Sequence, residues 1–94
     1  MNKDEKRHLR NVADLGCIAC RKLGYYGTPA EIHHIKNKTL GKKSSHYDTI
    51  PLCPYHHRTS TESIHLNPKW FEQKFGTEKE LLDEVLELLI NVEN

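Results

Sequence analysis

Apolar positions along the chain fall into a few short periodic groups separated by polar punctuation. Leu9, Val12, Ala13 and Leu15 recur near helical spacing, which predicts a helix over residues 3–15 that ends at Gly16. Cys17-Ile18-Ala19-Cys20 then reads as a tight turn, and residues 21–29, with Gly24, Gly27 and Pro29, as a loop. Ala30 to Ile35 alternates enough for a short strand, and Asp48 to Leu52 gives a second. Between them, residues 36–46 form a polar, basic loop containing Gly41. Cys53 to His56 is another turn, with Pro54 suited to a first helical turn, and His57 to about Glu62 reads as a short helix of poor propensity. Pro68 can open the next helix, which puts Trp70, Phe71 and Phe75 on one side before Gly76 stops it. Thr77 and Glu80 match a capping box for a last helix running to about Asn91, with Leu81, Leu82, Val85, Leu88 and Leu89 as its apolar stripe.

These elements predict an α+β fold: a short antiparallel hairpin with flanking helices in a single domain over 1–94. With hydrophobic residues at 36% and charged ones at 29%, 94 residues bury a thin core, so a covalent or metal staple is expected. Three Cys is an odd number and does not close a disulfide framework. The stretch Met1 to Arg10 is polar and charged, unlike a signal peptide, and no apolar run approaches the roughly 18 residues that span a bilayer. A cytoplasmic location with reduced thiols and no membrane partner is expected, and there paired Cys usually mean metal.

The cysteine spacing supports a staple of that kind. Cys17-x2-Cys20 lets two thiolates from one turn face the same ion, and the offset recurs at Cys53-x2-His56. Two such turns facing each other make a closed Cys3His tetrahedron that uses every Cys, and a structural Zn²⁺ is expected there. A redox dithiol fits less well, because no thioredoxin-like strand–turn–helix surrounds Cys17.

Seven His in the chain exceed what one such site needs. His33 and His34 are neighbours on a predicted strand, so their side chains face opposite ways and take two different roles, one toward a metal and one toward the proton of an attacking water. If His56 turns to the zinc, His57 points elsewhere and is free to approach the strand carrying His33.

The order Cys17-x2-Cys20, His33-His34-Ile35, Asp48-Thr49-Ile50-Pro51-Leu52, Cys53-x2-His56-His57 resembles a zinc-stapled HNH (ββα-metal) endonuclease. Within that superfamily, His46-Tyr47-Asp48-Thr49, the run Pro51 to Arg58, and Ile64-His65 are most similar to phage Ref-type, recombinase-dependent nucleases, over roughly residues 12–76. The resemblance implies that His33 and His57 ligate a catalytic divalent ion (Mg²⁺, Mn²⁺ or Zn²⁺), with His65 as third ligand, and that His34 is the general base. It also implies that Asp48, at the place of the middle Asn, braces the loop that orients the base. The implied catalytic set is thus His34, Asp48 and His65. Two departures stand out. Asp48 when ionised only accepts hydrogen bonds, and a carboxylate there could even approach the metal. His65 lies eight residues after His57, about 12 Å along a straight helix, so the chain turns back after Ser60–Glu62 or His65 serves another purpose. His46 receives no role.

The implied activity is metal-dependent hydrolysis of DNA phosphodiesters, with DNA and a RecA-type recombinase filament as partners in a bacterial or phage-infected cell. The net charge of +1 argues against wrapping DNA by charge alone, yet Lys36, Lys38, Lys42 and Lys43 form a basic stretch with no acid among them. These lysines and Arg58 are expected to touch backbone phosphates, which positions DNA without reading sequence. The rival class is a non-catalytic zinc-stabilised module that grips DNA or protein. Such a module needs four ligands and no His33-His34 pair. Neither the oligomeric state nor the catalytic metal follows from these residues.

Overall fold

The structure, a computed structural model, describes residues 1–35 and 45–93. Its first helix, α1 (Lys3–Asp14), begins at Asn2, whose Oδ1 accepts the Glu5 N–H at 2.8 Å while Glu5 Oε1 accepts the Asn2 N–H at 2.9 Å. This reciprocal cap satisfies two of the donors that open every helix. The helix buries Val12 and ends at Leu15.

Gly16 follows with φ of 78°, where an added Cβ would lie 2.9 Å from the Gly27 Cα. Only glycine fits, and the close approach lets the Cys17 N–H reach the Thr28 carbonyl at 2.9 Å. Residues expected to be only a turn instead start a short helix, α2 (Ile18–Lys22). Cys17 caps it by accepting the Cys20 N–H at its Sγ, and buried Ile18 and Ala19 anchor it to the core.

Strands β1 (Glu31–His34) and β2 (Thr49–Leu52) pair antiparallel, with Glu31 opposite Leu52 and His34 opposite Thr49. In β1 the alternation is real: His33 is buried and His34 exposed. In β2 it is absent, since all four residues are buried among α1, α2 and the last helix. Among the described residues each strand of this sheet has a free edge, which tolerates the missing N–H of Pro51.

After Cys53 comes a wide helical turn of π type, Tyr55–Thr59. It starts two residues before the predicted helix and stops sooner. Thr59 Oγ1 donates to the Pro54 carbonyl at 3.1 Å and Ser60 Oγ to the Tyr55 carbonyl at 2.7 Å. These hydroxyls take up backbone acceptors that a continuing helix would use. The chain then doubles back: the Ile64 N–H bonds the His56 carbonyl at 2.8 Å, and the His65 N–H bonds the His57 carbonyl at 3.2 Å.

Helix α3 (Pro68–Phe75) buries Phe71 and Phe75, and Gly76 ends it at φ of 112°. Helix α4 (Glu78–Glu93) carries the expected capping box, with Thr77 Oγ1 accepting the Glu80 N–H and Glu80 Oε1 accepting the Thr77 N–H, both at 3.1 Å. Leu81, Leu82, Val85 and Leu89 are buried, and Leu88 packs at the margin. This is the small α+β architecture predicted from the sequence. No helix of the described residues is long and apolar enough to cross a membrane.

Candidate metal centres

Two groups of metal-ligating side chains assemble among the described residues, one from Cys17, Cys20, Cys53 and His56, the other from His33, His57 and His65.

The first is a compact polyhedron. His56 Nδ1 lies 3.8 Å from Cys17 Sγ, 3.5 Å from Cys20 Sγ and 3.3 Å from Cys53 Sγ, and the Cys20 and Cys53 sulfurs are 3.8 Å apart. Bond lengths of about 2.3 Å to sulfur and 2.0–2.1 Å to nitrogen give tetrahedral edges near those values. A disulfide would need sulfurs about 2.05 Å apart. All four residues are at most 9% exposed, so water has little access. Burial pushes the Cys17 and Cys20 thiols up and the His56 imidazole down. Without a cation, then, the thiols are held protonated, whereas a neutral imidazole is already the ligand form. The donors fit a structural Zn²⁺. The fold aims them from two places: α2 presents the first pair, and the π turn, packed through the His56 ring on Phe75 at 5.3 Å, presents the second.

His57 leaves the same turn in another direction. Its ring lies 5.2 Å from that of His33 and 4.8 Å from that of His65, and the His33 and His65 rings are 5.2 Å apart. Their donor atoms all fall within 4.8 Å of one another. The reversal after Ser60 is what returns His65 to His57 across eight residues. Exposure is graded over the group: His33 is buried, His57 intermediate, His65 open to solvent. Three imidazoles gathered on one point, with one side accessible, form a donor set that fits a divalent ion with room for further ligands.

Two carboxylates brace this cluster. Glu31 Oε1 accepts from His57 Nδ1 at 2.8 Å, which leaves Nε2 as the His57 nitrogen available to a metal. Arg58 holds Glu31 in turn with a forked contact, Nε to Oε1 at 3.0 Å and an Nη to Oε2 at 2.7 Å. The Arg58 guanidinium, and after it His57, draws the Glu31 carboxyl down to about 2. Glu78 Oε2 stands 3.2 Å from His33 Nε2.

The remaining predicted residues are placed separately. His34 lies on the opposite face of β1, with Nε2 3.1 Å from His46 Nδ1. Partial desolvation, then the nearby His46 and His33, lowers its pKa and favours the neutral ring. Asp48 is not gathered with the three imidazoles. Its backbone joins the hairpin instead, its carbonyl accepting the Ile35 N–H at 3.0 Å. Arg58 is engaged by Glu31, with its side chain 55% exposed. Lys36, Lys38, Lys42 and Lys43 lie outside the described residues.

Sequence reasoning passed over Glu31, Glu78 and His46. Glu31 had a signal, since it stands two residues before His33 and so on the same strand face. His46 was marked by the surplus of His and by the His46-Tyr47-Asp48-Thr49 string but received no role, and Glu78 was marked by nothing local.

Over residues 2–90 the chain matches a family described as recombination enhancement, RecA-dependent nuclease. With nearly its whole length inside that match, the chain belongs to the RecA-dependent nuclease family.

Proposed function

We propose that this protein is an HNH-type DNA endonuclease acting in the cytoplasm on recombinase-bound DNA, with a structural Zn²⁺ at the Cys3His site and a divalent ion at the imidazole cluster. One observation carries the reading: His33, His57 and His65 converge apart from the closed Cys3His set, with one side open to solvent. A zinc-stabilised binding module has no use for that second donor set.

In this reading His33, His57 and His65 hold the second ion, and Glu31 keeps His57 aimed at it. A bound divalent ion supplies charge neutralisation at the phosphoryl oxygens and the departing 3′ oxygen. His34, held neutral, takes a proton from water; the oxygen of that water bonds to phosphorus as the P–O3′ bond breaks. Asp48 closes the mouth of the hairpin beneath His34 through its backbone. Lys36, Lys38, Lys42 and Lys43 bind backbone phosphates, and Arg58 serves the Glu31–His57 brace as well as lying near enough to the surface to meet DNA.

The test is a nicking assay on plasmid and displacement-loop DNA, with and without RecA-type filaments, across Mg²⁺, Mn²⁺ and Zn²⁺. Cutting that depends on added divalent ion and on His57 is expected. If no DNA is cut under any of these metals with filaments present, the reading falls and a zinc-stabilised binding module replaces it.

A further inference from the structure

The hydrogen bond between His34 and His46 engages one nitrogen of His34, Nε2, and leaves the other, Nδ1, outside the pair. Nε2 of His34 lies 3.1 Å from Nδ1 of His46, with the rings 5.2 Å apart and steeply inclined at 69°. Between two neutral imidazoles one nitrogen donates and the other accepts, so each ring fixes the tautomer of the other. If His46 donated from Nδ1, His34 would carry its own proton on Nδ1 and have no lone pair left to offer. If His34 donates from Nε2, its Nδ1 is a free base, and His46 carries its proton on Nε2.

The frame behind His46 is built to hold this pairing. Thr49, fully buried and directly opposite His34 in the hairpin, donates its hydroxyl to the His46 carbonyl at 3.0 Å. Ser45 accepts the Tyr47 N–H at its Oγ and the Asp48 N–H at its carbonyl, 3.0 and 3.1 Å away. The Asp48 carbonyl then receives the Ile35 N–H, one residue past His34. Both ends of the His34–His46 hydrogen bond are therefore tied to the same pair of strands, and the brace uses backbone atoms of Asp48 rather than its carboxylate.

We propose that His46 is a positioning residue for His34: by accepting the Nε2–H of His34 at Nδ1, it orients that ring and keeps Nδ1 free as the proton acceptor. The inference rests on the reading of His34 as general base, and it gives a role to a histidine in the loop before β2 that the metal sites do not use.

The experiment pairs nitrogen-15 NMR of the His34 ring with single-turnover cleavage, on the metal-loaded full chain, its His46→Leu variant and its His46→Asn variant. Asn places an Oδ1 acceptor close to where the imidazole Nδ1 stood. In the parent, His34 is expected to fill the Nε2–H tautomer. His46→Leu should mix the tautomers and slow the bound-substrate step about 10–100-fold, the scale on which hydrogen-bond partners of metal-site histidines act, with metal content, melting temperature and KM held. His46→Asn should recover most of the rate and the parent tautomer. The inference is overturned if the parent ring fills the Nδ1–H tautomer, if His46→Leu leaves tautomer and rate unchanged, or if the loss follows melting temperature and Asn does not recover it. The NMR arm reads the pairing whether or not DNA is cut; a His34→Ala variant that cuts at the parent rate overturns the base assignment instead.

Discussion

The two histidine-bearing centres stand side by side on one π turn, yet they are built on opposite principles. His56 enters a shell of three thiols, buried and with donor separations of 3.3–3.8 Å, as closed as a tetrahedron can be. His57, the next residue, enters a set of only three imidazoles, whose third member is exposed. The first set has no position left for a further ligand, so an ion there can only hold the chain together. The second offers only three protein donors, two of them in contact with carboxylates, and on the proposed function it leaves its ion positions for substrate. On the proposed function a one-residue step along the chain thus separates stability from chemistry, and substitutions should divide the same way.

The largest effect is expected at the closed centre. Structural zinc contributes about 10–16 kcal/mol apparent binding energy in zinc-finger peptides, comparable to or larger than the roughly 5–15 kcal/mol by which a whole domain is stable. Cys20→Ser should therefore release the ion and abolish the thermal transition, read by metal analysis and calorimetry. A variant that keeps both would erase the contrast. Since burial raises the Cys17 and Cys20 thiols, zinc uptake must expel their protons. Zinc affinity should consequently rise with pH and weaken in acid, which competition with a chelator at two pH values would reveal.

Next come losses of chemistry without loss of fold. His34→Ala should reduce cleavage by about 10²–10⁴-fold while zinc content and melting temperature stay near the parent's. His57→Ala should also stop cleavage, but through weaker binding at the second centre, so a metal titration tells the two failures apart. Glu31→Gln removes the anionic acceptor that His57 and Arg58 share. It should lower second-site affinity or activity by about 10–100-fold and leave the Cys3His ion in place; equal loss of both ions would mean that the centres are not independent.

The smallest effect concerns DNA binding. Changing Lys42 and Lys43 to Ala should weaken binding to all sequences alike and reduce the salt slope by roughly one for each phosphate that is no longer neutralised. A filter-binding series over salt concentration would show an unchanged slope if the basic stretch does not meet DNA.

Much of this organisation was legible in the residues themselves, because local physics wrote it. Helix α1 and the Thr77–Glu80 cap follow from helical spacing and short-range hydrogen bonding, and the paired two-residue gaps of Cys17/Cys20 and Cys53/His56 mark ligands that one turn can aim together. The opposed faces of His33 and His34 follow from the two-residue period of a strand. Short-range pattern was less informative where side chains compete with backbone: Thr59 and Ser60 end the π turn early, and Cys17 with buried Ile18 and Ala19 makes a helix where a bare turn was expected.

The chain alone thus determined which side chains were available for chemistry and which neighbours had to point apart, since those depend on covalent order and on periods of two and 3.6 residues. Only the tertiary structure decided which distant groups meet. It folded the chain back so that His65 returns to His57, set Glu31 and Arg58 behind that histidine, brought Glu78 from the start of α4 to His33, and laid His46 against His34 across the mouth of the hairpin. These pairings join residues 8–45 positions apart, and their geometry depends on how the hairpin packs among the helices, information no local stretch of sequence carries.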